Sequence, residues 1–271
     1  GTATVTVTAV VNPDGSYSTT ADLSGLADGP LTVTASVSDA AGNPATATDT
    51  AALDTSAAIT VSLDNVNGGN VAAAPITGTT TGVEPGQTVT LAITDGTGTV
   101  TVTATVNSDG SYSTTADLSG LADGPLTVTA TVSDTAGNPV TATDTAALDT
   151  TAAITVSLDD VNSGNVAAAP ITGTTAGVEA GQTVTLVITD GTATVTVTAV
   201  VNLDGSYSTT ADLSTLADGP LTVTASVSDA AGNPATATDT AALDTSAAIT
   251  VSLDDVNSGN AAAAPIAGTT T

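Results

Sequence analysis

The eleven residues DGSYSTTADLS occur three times, beginning at Asp14, Asp109 and Asp204, each 95 residues after the last. Other landmarks keep that step: LDT carries Asp54, Asp149 and Asp244, and AGNP carries Asn43, Asn138 and Asn233. A fixed period constrains architecture before any local pattern does. Solenoid and propeller units run at about 20–50 residues. A step of 95 is too long for those and close to the roughly 100 residues of a complete β-sandwich. The chain therefore reads as an array of whole domains. The linker aspartates divide it into the C-terminal part of one module (1–54), two complete modules (55–149 and 150–244) and the N-terminal part of a further one (245–271).

Within the module 55–149, apolar and polar residues alternate with period two, the signature of strands with one buried face. The pattern predicts seven strands, over 57–64, 75–80, 88–94, 99–107, 111–119, 124–134 and 140–149, with a break at 65–70. Gly-, Asn- and Asp-rich turns separate them, as in SDG at 108–110, where Gly110 supplies φ > 0. Helical recurrence at three and four residues is missing. The expected fold class is all-β: tandem immunoglobulin-like sandwiches of seven strands each, in a linear rod. The three tyrosines, Tyr17, Tyr112 and Tyr207, fall one per module and are expected to fill gaps in aliphatic cores.

Composition removes whole classes of function. The chain has no Lys, Arg, His, Cys, Met, Trp or Phe, and carries 27 acidic residues for a formal charge of −27. Without His, Cys or Lys there is no imidazole base, thiolate nucleophile, disulfide or Lys–Asn isopeptide staple, and no zinc or iron site of the usual kind. Without cationic side chains nothing neutralises phosphate, so nucleic acid is not an expected partner, and anionic membrane surfaces repel the chain. High negative charge accompanies disorder only when hydrophobicity is low. Here 41% of residues are hydrophobic and mean hydropathy is +0.32, which argues for folded β-structure. No apolar run is long enough to span a bilayer, and the N-terminal GTATVTVT lacks the features of a signal peptide.

The elements DGSY, LADG, SDTAGN (SDAAGN in two copies) and LDTT (LDTS in two copies), in that order along the chain, resemble the bacterial immunoglobulin-like repeats in the extender regions of giant type I-secreted adhesins. These include RTX adhesins and biofilm-associated proteins. One departure stands at the linker, where DTSAAI and DTTAAI replace the family's frequent DTTAP. The resemblance implies an extracellular, secreted or cell-surface tether whose repeats bind calcium between modules.

The residues point to the same cation independently. In a seven-stranded count, alternate loops fall at opposite ends of a module. At the Asp149 junction the upstream module then presents Asp64, Asn67, Asp95 and Asp123, and the downstream module presents Glu179, Asp204, Asp229 and Asn233. Unit charges ~4 Å apart repel by ~4 kcal/mol at an effective dielectric of about 20. Calcium relieves such repulsion because it takes about six to eight oxygen ligands, whereas magnesium demands tighter octahedral geometry. The candidate ligands are the linker residues Asp54, Asp149 and Asp244 with Asp39, Asp134 and Asp229 of the SDxAGN loops, then Asp28, Asp123, Asp109 and Asp204. Taken singly, each of these is also an ordinary turn former.

Near-identity of the modules favours a spacer: 1–54 and 191–244 differ only at Pro13/Leu203 and Gly25/Thr215. Catalysis is not expected, because nothing interrupts the repeat to make a cleft around a carboxylate pair. No loop is distinguished from its counterparts as a glycan or host-protein binder would require. The expected partners are neighbouring modules of the same chain. The alternative is identical chains in a self-assembling filament. Head and tail together span 81 residues and lack only the counterpart of GVEPGQTVTLAITD, so a composite module could form between chains. The simpler expectation is a window of a longer array.

Overall fold

A computed structural model describes residues 3–271. No α-helix occurs among them, and the helical pieces are 3-10 turns at Val71–Ala73 and Val166–Ala168. The N-terminal 54 residues contribute β1 (Gly29–Ser38) and β2 (Pro44–Leu53). The repeat 55–149 contributes β3 (Ala58–Ile59), β4 (Ser62–Leu63), β5 (Val66–Asn67), β6 (Ala74–Thr81), β7 (Thr88–Thr94), β8 (Thr99–Thr105), β9 (Ser111–Ala116), β10 (Gly124–Ser133) and β11 (Pro139–Asp149). The repeat 150–244 contributes β12 (Ala153–Ile154), β13 (Ser157–Leu158), β14 (Val161–Asn162), β15 (Ala169–Ala176), β16 (Thr183–Thr189), β17 (Thr194–Val200), β18 (Ser206–Ala211), β19 (Gly219–Ser228) and β20 (Pro234–Asp244). The last 27 residues add β21 (Ile249–Leu253) and β22 (Ile266–Thr270).

The chain resolves into two compact units. One comprises Gly1–Asp64, Pro75–Ala116 and Leu126–Thr145; the other comprises Asn65–Ala74, Asp117–Pro125 and Ala146–Thr271. In the first unit β1 pairs with β2, β3 and β4 pair with β6, and β7 pairs with both β8 and β10, all antiparallel.

The second unit contains a complete sandwich. One sheet runs β14-β20-β19-β16-β17, and the other is β12-β15-β13 with β18 also on β15. Strands adjacent in sequence thus often lie in opposite sheets, as an immunoglobulin-like sandwich requires. The alternation explains the layers: in β16, Val184, Leu186 and Ile188 are buried while Thr183, Thr185 and Thr189 are not. Beside them on β19, Leu221 and Val223 are fully buried, and Ile171 and Tyr207 of the other sheet belong to the same core. Each such aliphatic side chain contributes about 1.5–3 kcal/mol on leaving water.

The structure modifies the expected strand list in two ways. The opening strand predicted over 57–64 is split into β3 and β4, and the break predicted at 65–70 contains β5. The split has a local cause, seen also at Thr155 in the third repeat. There the Tyr207 hydroxyl donates to the Thr155 carbonyl at 2.5 Å, so that carbonyl is not available to a ladder. A Cβ at Gly173 would lie 2.1 Å from Thr155 O and 2.4 Å from the Tyr207 hydroxyl, so only glycine fits opposite. After the split the chain changes sheets, and β14 pairs parallel with the end of β20, Val161 with Leu243 and Asn162 with Asp244. Tyr112 donates to Thr60 O in the same way.

Tyr112 and Tyr207 are core residues, 1% exposed. Tyr17 is not: it is 57% exposed, and residues 3–28 form no strand. The expectation that all three are buried fails there because 1–54 carries no counterpart of the Thr60–Gly78 pair that covers Tyr112.

Candidate metal centre at the repeat junction

Two loops with the same sequence logic build the junction at Asp149, and every residue in it belongs to the second unit. The first loop follows β5. Asn67 N–H donates to Asn70 Oδ1 (2.8 Å) and Gly69 N–H to Asn67 Oδ1 (2.8 Å), which folds NGGN into a tight hook. The second loop is Asp229–Asn233 between β19 and β20. Asp229 Oδ1 accepts the Asn233 N–H (2.8 Å) and Oδ2 accepts the Asn233 Nδ2 (2.7 Å), so the carboxylate staples its own loop. Both residues are 5% exposed.

The loops then meet. Asn233 Nδ2 donates to the Asp149 carbonyl at 2.9 Å, and Asn233 Oδ1 accepts the Gly68 N–H at 2.7 Å. Asn67 Nδ2 donates to the Ala231 carbonyl at 2.6 Å. From the other side, Asp123 accepts the Thr150 N–H (3.1 Å) and the hydroxyls of Thr150 (2.9 Å) and Thr151 (3.1 Å). Glu179 Oε2 accepts the Ala230 N–H at 2.8 Å. Beside these groups lies a cavity of about 320 Å³ lined by Asn65, Val66, Asn67, Ala147, Asp149, Glu179, Ala230 and Ala231.

The hydrogen bonds fix the charge state. Burial works to raise the Asp229 carboxyl, but the side-chain and backbone donors of Asn233, with those of Gly232 and Ala231, overcome it and hold it below the usual carboxylate range. Asp123 behaves alike: burial raises it, and the Thr150 and Thr151 donors outweigh that. Asp134 is held down chiefly by the Asn138 side chain. These groups are anionic at neutral pH.

The sequence candidates are thereby distributed. Asp149, Asp123 and Asp229 come to one junction. In the first unit, Asn138 Nδ2 joins Asp134 Oδ2 (2.6 Å) to the Asp54 carbonyl (3.1 Å), and Asp28 accepts from Thr55 and Ser56. At Asp244 the Thr245 N–H and hydroxyl are held by Asp218. Asp39 staples Asn43 as Asp229 staples Asn233. Asp109 and Asp204 accept from Ser111 and Ser206 within their own turns. Among the described residues no three carboxylates converge on one point. The polar members of the Asp149 cavity lining, the Asp149 and Glu179 carboxylates and the Asn65 and Asn67 amides, are hard oxygen donors of the kind calcium takes, and they stand beside Val66, Ala147, Ala230 and Ala231.

Asp144 and Asp239 are among the acidic residues that sequence reasoning left without a role. Asp144 Oδ2 accepts the Leu63 N–H at 3.0 Å and Asp239 Oδ2 accepts the Leu158 N–H at 3.0 Å, each closing the gap where the opening strand leaves its sheet. An aspartate inside a strand, against β-propensity, was the available signal.

A scan against protein-family models and a search of curated proteins returned no match. Solved structures do match. The chain is 43% identical to a tetra-tandem repeat in the extending region of a large adhesion protein, over 97% of this chain and 69% of that one, with a TM-score of 0.39. It is 34% identical to a bacterial immunoglobulin-like domain of the M. primoryensis ice-binding adhesin, over 34% of this chain and 95% of that one (TM-score 0.26). A Ca2+-stabilized adhesin of an Antarctic bacterium that binds ice is 29% identical, over 92% of this chain and 66% of that one (TM-score 0.43). Membership rests on identity and coverage, not on these superpositions. The fold and the junction define a class, the tandem bacterial immunoglobulin-like module. The chain belongs to the tandem repeats found in the extending regions of large adhesion proteins.

Proposed function

We propose that this chain serves as extender repeats of a large extracellular bacterial adhesin, spacing other parts of that protein from the cell surface, with calcium stiffening the joints. The complete modules 55–149 and 150–244, with the partial modules 1–54 and 245–271, belong to that stalk, and their role is mechanical and not catalytic. Three findings support the reading: the identity to an adhesin's extending region, the near-identity of the repeats, and the Ca2+-stabilized relative. The observation that carries the calcium step is the pair Asp149 and Glu179 lining one cavity together with Asn65 and Asn67. Asp149, Glu179, Asn65 and Asn67 would hold the ion, which would supply positive charge where the sequence has none. Calorimetric titration tests this: binding lost in a Glu179→Gln, Asp149→Asn double variant supports it, and no heat from the unaltered chain refutes it.

A second reading, a filament subunit whose modules are completed by another copy, is supported by uncovered apolar faces. Val33 and Val37 are 62% and 55% exposed, whereas their counterparts Val223 and Val227 are 0% and 6% exposed. Sedimentation of the chain with and without residues 245–271 separates the two: concentration-dependent association that needs the tail supports the filament, and a monomer throughout refutes it.

A further inference from the structure

The hook that receives Asn233 recurs in the next repeat and, at Asn257–Asn260, in the tail. Asn162 N–H donates to Asn165 Oδ1 (2.7 Å) and Gly164 N–H to Asn162 Oδ1 (2.8 Å), the bonds found in the 67–70 hook. The residue entering the following 3-10 turn also repeats, with φ −125° and ψ −2° at Asn70 and φ −125° and ψ −3° at Asn165. Between Asn67 and Gly69 the residue is Gly68; between Asn162 and Gly164 it is Ser163, and the tail repeats the serine at Ser258.

That one position touches the partner loop. A Cβ at Gly68 would lie 3.0 Å from Asn233 Oδ1 and 3.4 Å from the Thr150 carbonyl. The first distance is tighter than ordinary van der Waals contact, and the atom it presses on is the acceptor of the Gly68 N–H. Asn233 cannot yield freely, because its Nδ2 is held by both Asp149 O and Asp229 Oδ2. A side chain at 68 must therefore lengthen the hydrogen bond that crosses the junction. Backbone conformation is not the issue, since Ser163 occupies the same hook.

We propose that the residue at position 68 and its counterparts sets how tightly consecutive repeats are latched: glycine gives the close joint seen at Asp149, and serine gives a looser joint. The latch is made of polypeptide alone. The proposal rests on the extender reading only for its purpose, because a stalk with two grades of joint would bend at chosen places.

The test is Gly68→Ser in the whole chain, in the presence of chelator so that calcium plays no part. Amide exchange is followed by NMR at residue 68, at the Asn233 side chain, and at Leu186 and Val223 as controls for the sandwich. The expected result is exchange about tenfold faster at residues 68 and 233, the size of one net hydrogen bond, with the controls unchanged. Asn233→Ala should accelerate residue 68 at least as much. Exchange at 68 and 233 within about twofold of the unaltered chain would overturn the proposal, as would a serine hydroxyl that replaces the bond and keeps Asn233 protected. Failure of the calcium reading would show separately, as an absence of any calcium effect on the unaltered chain.

Discussion

The side-chain amide of Asn233 donates to the backbone carbonyl of Asp149, 84 residues earlier in the chain, at 2.9 Å. The same side chain accepts from Gly68 and donates to Asp229, so one asparagine gathers the end of one repeat and a loop of the next.

Truncation of that residue exposes what it satisfies. Asn233→Ala leaves the buried Asp229 carboxylate and the Gly68 N–H short of partners, and each such loss costs about 1–3 kcal/mol. Denaturant unfolding should show the third repeat less stable by a few kcal/mol. Asn233→Asp should be worse, because it sets a second carboxylate against Asp229. A midpoint unchanged in both variants would contradict the assignment.

Acid should weaken the fold in a defined window. Asp229 and Asp134 are held below their ordinary values by hydrogen bonds. The unfolded chain therefore takes up protons first as pH falls. Their contribution is fully present above the ordinary carboxylate pKa of about 4 and is lost below it. Thermal melting points should be flat from neutrality to about pH 5 and then fall. Asp229→Asn should flatten part of that decline.

Alkali acts through the tyrosines with the opposite sign. Burial pushes the Tyr207 hydroxyl up to about 12, above the unfolded value near 10. The stability it contributes is complete below pH ~10 and is lost as pH rises toward 12. Tyrosinate absorbance should rise together with the loss of circular dichroism, and Tyr207→Phe should separate them. That variant also leaves the Thr155 carbonyl without its donor.

Gly173→Ala probes the close approach that splits the opening strand. The added carbon meets the Thr155 carbonyl and Tyr207 hydroxyl well inside contact distance, and overpacking of this kind costs about 1–3 kcal/mol or more. Gly181→Ala, where a Cβ meets nothing, serves as comparison. It carries only the strain of φ +93°.

Much of this was legible in the sequence because its cause is periodic. Alternation of Val and Thr marks β16 and β19, and the repeat itself marks the linkers. β5 was hidden because two residues, Val66 and Asn67, carry no period, and their pairing to β11 is decided by distant chain. The junction was half visible. Counting strands assigns carboxylates to the ends of each sandwich, but Asp229 accepts from Asn233 with both oxygens and Asp204 accepts from Ser206 in its own turn. Which carboxylates face the cavity depends on side-chain directions that spacing does not encode. Glu179, placed at this junction by counting strands but not among the candidate ligands, lines the cavity.

The central claim is that calcium stiffens the joints between these repeats, and small-angle X-ray scattering of the whole chain tests it most directly. With saturating calcium the distribution of intramolecular distances should narrow toward the long end, and chelation should broaden and shorten it. Superimposable curves with and without the ion would contradict the account.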